Sequence, residues 1–266
     1  MFVVGAAAGD HHGVFTHCSS LIPRRRAARP VDAHGTAVAV GCDRYSGGVK
    51  QSARGALIVF EGGDGAGKST QAAALVTALR RDGRTVTLTR EPGGTPLAES
   101  VRALVLDPSQ APVSAVTEAL LFASARADHV ARRIRPALER GEVVICDRFV
   151  DSSVAYQGAG RGLGTERVLE LNRWAVQGLV PELTVLLDVD QTTAEARRRE
   201  RALATDRMES EARAFHDAVN AAFRELAAHA PSRYLVLDAS APAAELTDAI
   251  VDRVTGILAE RTEVSA

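Results

Sequence analysis

Two groups of residues have the type and spacing for phosphate chemistry: a lysine that closes a glycine loop, and arginines that recur farther along the chain. The run Gly62-Gly63-Asp64-Gly65-Ala66-Gly67-Lys68-Ser69, followed by Thr70, fits the pattern G-x-x-x-x-G-K-[ST] in full. Glycine permits backbone angles that turn successive N–H groups inward onto phosphate oxygens, and a helix starting at the loop adds its positive end. Lys68 would span the β- and γ-phosphates, and the Ser69 hydroxyl would face Mg²⁺. Of the 32 basic residues only Lys50 and Lys68 are lysines. In a chain so biased toward arginine, the one lysine beyond residue 55 falls inside this loop, where a forked guanidinium does not replace a compact ammonium.

These residues need a scaffold, and the hydrophobic pattern supplies one. Apolar runs at Ala56–Glu61, Thr85–Thr89, Glu142–Asp147, Leu183–Val189 and Tyr234–Asp238 read as five strands. Between them lie helical periods through Leu75 and Leu79 to Gly83, over Leu97–Leu106, from Val116 to about Leu138, and from Thr165, a candidate cap, to Gln177. Further periods cover Ala194–Arg201, about Glu209–Ala228, and about Ala243–Glu260. Apolar strands alternating with helices predict an α/β fold: a doubly wound, five-stranded parallel sheet with helices on both faces. The first strand runs into the glycine loop and the loop into a helix, the context that makes the motif specific for a nucleoside triphosphate.

At the carboxyl edge of such a sheet, where ligands bind, stand Arg90-Glu91-Pro92-Gly93-Gly94-Thr95 and Asp147-Arg148-Phe149. They are followed by Asp151-Ser152-Ser153-Val154-Ala155-Tyr156-Gln157-Gly158 and Ala159-Gly160-Arg161-Gly162. Arg90 and Arg148 offer planar forks suited to a phosphate group, or to a structural carboxylate pair. Phe122 and Arg126 lie four apart on one helical face; by spacing alone such a phenylalanine reads as core. Together with the glycine loop, these blocks closely resemble the bacterial thymidylate kinases from about Ala56 to Ile257, in order and at the family's spacing.

The resemblance implies a nucleoside monophosphate kinase that moves the γ-phosphoryl of ATP to dTMP, giving dTDP, with Mg²⁺ as cofactor, in a cytoplasmic homodimer. It implies that residues 62–70 hold ATP, that Asp64 approaches the acceptor phosphate and its metal, and that Ser69 is a metal ligand. Arg90, Glu91 and Arg148 fall to the acceptor side, with Phe122 stacking on thymine and Arg126 bonding its edge. Ser153, Tyr156 and Gln157 match positions near base and deoxyribose, Tyr156 crowding the 2′ position. The family carries its catalytic arginine either in the loop or in a lid. The interior Gly63-Asp64-Gly65-Ala66 has none, so the lid-like stretch at about 194–208 is the candidate, with Arg199 and Arg201 ahead of Arg197. A solvated basic helix face accounts for some of these arginines. The catalytic set is then Lys68, Asp64, Arg148, Arg199 and Arg201. A phosphate acceptor is already ionised, so no general base is required; His129, His216 and His229 read as bystanders and Cys146 as a core thiol.

Composition sets the remaining bounds. A net charge of −1 argues against a nucleic-acid binder with a broad basic face, and no apolar run of 18 residues suggests a membrane span. Three cysteines without a C-x-x-C pair fit a reducing compartment. No N-K-x-D follows a later strand, which excludes a guanine-reading GTPase. A deoxynucleoside kinase would need a carboxylate base, for which Glu91 is the candidate, and a nucleotide-binding regulatory module stands as the rival outside enzymes. Residues 1–54, with four histidines, seven Arg/Lys and three Asp, hold no period. They read as a disordered extension, an early start or a transit segment ahead of a kinase domain at 55–266.

Overall fold

The computed structural model describes residues 55–109, 113–200 and 206–264; the expectations placed on residues 1–54 and on Arg201 lie outside the described residues. Five strands, β1 (Ala56–Glu61), β2 (Val86–Arg90), β3 (Val143–Asp147), β4 (Leu183–Asp188) and β5 (Tyr234–Asp238), form one sheet in the order β2-β3-β1-β4-β5. Every pairing is parallel. The continuous apolar runs ALIVFE, VVICD and LTVLLD occupy the three central positions, covered on both faces as such runs require.

Alternation along β1 divides the core. Ile58 and Phe60 pack with Leu75 and Leu79 of α1 (Lys68–Arg81), and with Ile250 and Val254 of α9 (Ala243–Val264). Leu57 and Val59 point the other way, toward Val130, Ile134, Phe149 and Val176. The remaining helices are α2 (Pro96–Leu106), α3 (Ala115–His129), α4 (Arg135–Glu139), α5 (Val150–Ser153), α6 (Thr165–Val176), α7 (Gln191–Glu200) and α8 (Arg213–His229). Among the described residues no helix is long and apolar enough to cross a membrane.

The differences from expectation are local. The long period from Val116 is one helical path, but a π turn at Val130–Ile134 separates α3 from α4. Residues 150–160, to which the sequence assigns no element, are helical: α5 continues into a π segment at Val154–Gly160. Tertiary packing overrides the glycines there, with the Tyr156 ring set edge-on against Phe215 and Phe223 at 5.9 and 6.3 Å. The helix expected from Glu209 begins at Arg213, because the Asp206 carboxylate takes the backbone N–H groups of Met208 (2.8 Å) and Glu209 (2.9 Å) into a turn. Gly164, rather than Thr165, caps α6.

Candidate active site

β1 delivers the glycine loop to the carboxyl edge of the sheet. Gly62 has φ 130°, and a Cβ there would stand 2.3 Å from the Leu187 carbonyl oxygen; Gly65 has φ 92° and would meet the Ala194 carbonyl at 2.6 Å. Only glycine fits between β1, β4 and α7. Gly67 caps α1 with no side-chain bond to its first N–H groups, which leaves that helix end for an anion. Lys68 folds its Nζ onto the carbonyls of Gly62 (3.0 Å) and Gly63 (2.8 Å). Burial, reinforced by the charge of Arg148, pushes the Lys68 ammonium down to about 8. The Ser69 hydroxyl donates to Asp147 Oδ2 at 2.6 Å. A hydroxyl and a carboxylate side by side at a phosphate loop are the hard oxygen donors that a divalent cation such as Mg²⁺ takes.

Arg148 joins the loop to the rest of the cleft. It stands at φ 70°, a left-handed conformation uncommon outside glycine. Its guanidinium pairs with Asp64, donates to the Gly62 carbonyl (3.1 Å) and Ser152 Oγ (3.1 Å), and lies 5.1 Å over the Tyr156 ring. Asp64 also accepts from the Tyr156 hydroxyl at 2.8 Å. Burial opposes ionisation of Asp64, but the charges of Arg148 and Lys68 prevail and hold its carboxyl well below the usual range. The Arg148 turn is fixed from beneath by Glu61, the last residue of β1. Its carboxylate accepts from Phe149 N (2.8 Å), Ser152 N (3.1 Å) and Ser152 Oγ (2.6 Å). Burial, then the neighbouring Asp151, pushes the Glu61 carboxyl up to about 7.

The other side of the cleft is built on α3. Glu118, Phe122, Arg126 and His129 are buried on it at spacings of four, four and three, one face of the helix. Arg126 uses four of its five N–H donors within the protein: Nε to Glu91 Oε2 (2.6 Å), two from Nη1 to Ser153 Oγ (2.8 Å) and Asn172, and one from Nη2 to the Phe149 carbonyl (2.8 Å). The fifth meets no acceptor among the described residues. Phe122 belongs to none of the three apolar clusters; it lines the cleft. Both oxygens of Glu91 are engaged, one by Arg126 and one by His129 Nδ1 at 2.9 Å, while His129 Nε2 meets Thr89 Oγ1 at 2.7 Å. Glu91 is therefore a strut and is not free to serve as the base of a deoxynucleoside kinase.

One cavity of about 300 Å³ is lined by both groups: Asp64, Lys68 and Ser69 on the loop side, and Arg90, Phe122, Arg126, Arg148, Ser153, Tyr156 and Gln157 on the other. Glu91, Gly65, Gly67 and Thr70 line it too. Arg90 is half-exposed and paired with Glu99 at 2.9 Å. Arg199 stands near the end of α7, whose Ala194 carbonyl packs on Gly65.

Three lining or supporting residues escape sequence reasoning. Asp147 faces Ser69 from the end of β3, and its position opposite the loop was the available signal. Arg102 lines the cavity from α2, where it reads as an ordinary helical arginine; burial and the charge of Arg90 lower its pKa. His129, taken as a bystander, holds Glu91. Its place three residues past Arg126, on the same helical face, pointed inward.

The chain matches the family model described as thymidylate kinase over residues 60–250. It is 53% identical over 202 residues to a thymidylate kinase of Leifsonia xyli, covering 76% of this chain and 95% of the relative. It is 48% identical over 204 residues to one of Cutibacterium acnes, covering 77% and 98%. Among solved structures, the thymidylate kinase of Ehrlichia chaffeensis superposes with a TM-score of 0.58 at 34% identity, over 69% of this chain and 93% of that one.

Proposed function

The chain belongs to the thymidylate kinase family, and we propose that this cleft seats ATP and dTMP end to end, so that the γ-phosphoryl passes to the acceptor to give dTDP and ADP. The observation that carries this reading is Arg148. It reaches the loop carbonyl of Gly62 and the loop carboxylate of Asp64 while stacking on Tyr156, a wall of the acceptor side. A guanidinium held between two phosphate sites can neutralise charge on the group passing between them.

In this reading the backbone of residues 62–70 and Lys68 hold the triphosphate. Arg90, Arg102 and Arg148 hold the acceptor phosphate, Phe122 and the free N–H of Arg126 the base, and Ser153, Tyr156 and Gln157 its flank. Mg²⁺ would sit at Ser69 and Asp147, near Asp64, and would neutralise charge on the β- and γ-phosphates. Arg199 and Arg201 are the proposed lid arginines, and residues 55–266 the kinase domain. A homodimer is also part of this reading. Its support is the run of exposed apolar side chains on neighbouring helices: Leu97 and Leu104 on α2, Val116 and Leu120 on α3, and Trp174, 81% exposed, on α6. A cytoplasmic setting is part of the same reading, supported by three cysteines without a C-x-x-C pair.

Coupled ADP release measured across dTMP, dUMP, dCMP and ribo-TMP tests the assignment. dTMP should be turned over with the highest kcat/KM; a faster reaction with any of the other three would overturn it.

A further inference from the structure

Glu118 lies in the first turn of α3 with none of its surface exposed, and the chemistry above does not use it. Its Oε1 accepts from Gln157 Nε2 (2.9 Å) and Arg161 Nε (3.2 Å); its Oε2 accepts from Arg207 Nη2 (2.6 Å) and Arg161 Nη2 (3.2 Å). These donors come from the π segment, the turn behind it and the stretch leading to α8. Burial by itself would raise a carboxyl group's pKa, yet the bonds from Gln157, Arg161 and Arg207 hold Glu118 below its ordinary value. A charge this well satisfied is fixed in place.

Gln157 and Arg207 lead to the cavity wall. Gln157 lines it directly. Arg207 also donates through Nε to the Val105 carbonyl (2.8 Å), and its backbone N–H to the Leu106 carbonyl (3.2 Å), at the end of α2. Its neighbours Asp206, Met208 and Glu209 line the same cavity as Gln157. Arg161 reaches Glu211 at 2.6 Å and lies 4.8 Å over the Phe215 ring, closing the turn from behind. Two separate pieces of cavity wall are thus tied to one carboxylate, four and eight residues before Phe122 and Arg126 on the same helix.

We propose that Glu118 is a positioning residue for the acceptor nucleotide, locking Gln157 and the wall at 206–209 onto the pocket that Phe122 and Arg126 line. The proposal rests on reading that pocket as the dTMP site. Glu118 touches no substrate, and it shares no bond with the glycine loop. Loosening it should therefore weaken acceptor binding and leave the donor side as it was.

The test is steady-state kinetics of Glu118→Gln and Arg207→Met, varying dTMP and ATP separately, with a melting curve for each variant. Glutamine keeps the shape and turns an N–H₂ toward two guanidinium groups. Glu118→Gln should raise KM for dTMP at least tenfold, with KM for ATP within twofold of wild type. Arg207→Met should give a smaller rise in the same constant, and the double variant should fall short of the product of the two single effects, because they share the Glu118–Arg207 contact. A folded Glu118→Gln with KM for dTMP unchanged, or with both KM values rising together, overturns the role. If Glu118→Gln does not fold, an unchanged KM for dTMP in Arg207→Met overturns it instead. Wild type run alongside separates the two readings: its failure to use dTMP sinks both, whereas an active wild type beside an unaffected variant sinks the positioning role alone.

Discussion

The two sides of the cleft are held by different physics. The donor side is one contiguous run, residues 62–69, whose shape is set by backbone angles and by the carbonyls of neighbouring strand and helix. The other side is drawn from separate stretches of chain and tied by side-chain pairs around buried carboxylates: Glu91 to Arg126 and His129, Glu118 to Arg161 and Arg207. A backbone cradle keeps its form when a side chain changes. A buried ionic frame does not, because removing one partner strands the other away from water. Lesions on the two sides should therefore be read by different instruments.

The largest contrast comes from Glu91→Ala. It leaves the buried Arg126 guanidinium without its carboxylate and His129 Nδ1 without its partner, and should cost about 3–5 kcal/mol of unfolding free energy, measured as a shift in denaturant midpoint. A loss under about 1 kcal/mol would mean that the acceptor side is not held by its ionic frame. Lys68→Arg is the opposite lesion: melting close to wild type, but kcat lower by about two to three orders of magnitude, or about 3–4 kcal/mol of barrier. Retained turnover would remove the lysine from the mechanism.

Glu61 lies at the seam, ending the strand that feeds the donor loop while bonding the acceptor segment. Its carboxyl is held near 7 in the folded protein, against 4.5 ordinarily. The native state therefore holds a proton that the unfolded chain releases, and stability should fall as pH rises from about 5 to about 8. The loss is roughly 2.5 kcal/mol, and Glu61→Gln should flatten the slope. A wild-type curve that is flat or rising over this interval would contradict the burial argument. The smallest effect is expected for Phe122→Ala: KM for dTMP up about tenfold, equivalent to about 1.4 kcal/mol, with KM for ATP unchanged. A core phenylalanine would instead cost about 3–5 kcal/mol of stability, and the melting curve distinguishes the two.

Why one side was legible in the sequence and the other only partly follows from the same contrast. Gly62 to Ser69 are consecutive, so their pattern carries their geometry, and continuous apolar runs carried the strand count and the parallel sheet. The residues proposed for the acceptor were marked by motif, but what holds them was not. Glu91 and Arg126 are 35 positions apart, Asp64 and Tyr156 92 apart, and no local period links them. The helical form of 150–160 was hidden for a related reason: glycines and serines argue locally for a loop, and the packing of Tyr156 on Phe215 and Phe223 outweighs them. Asp206 shortened α8 by the same mechanism that serine and aspartate use at any turn, which a helical period alone does not reveal.

The left-handed backbone at Arg148 has a consequence for anyone wishing to make this protein more heat-tolerant. Stabilisation by backbone preference replaces residues at positive φ with glycine or asparagine, each swap usually contributing on the order of 1 kcal/mol. Of the two non-glycine residues in that conformation among the described residues, Gln177 and Arg148, the first is a helix-capping position where such a swap is harmless. The second is where the swap would relax the chain and remove the guanidinium proposed to lie between the two phosphate groups. A rule that scores the backbone alone ranks the two positions alike, so thermal hardening of this fold has to exempt residue 148 by name.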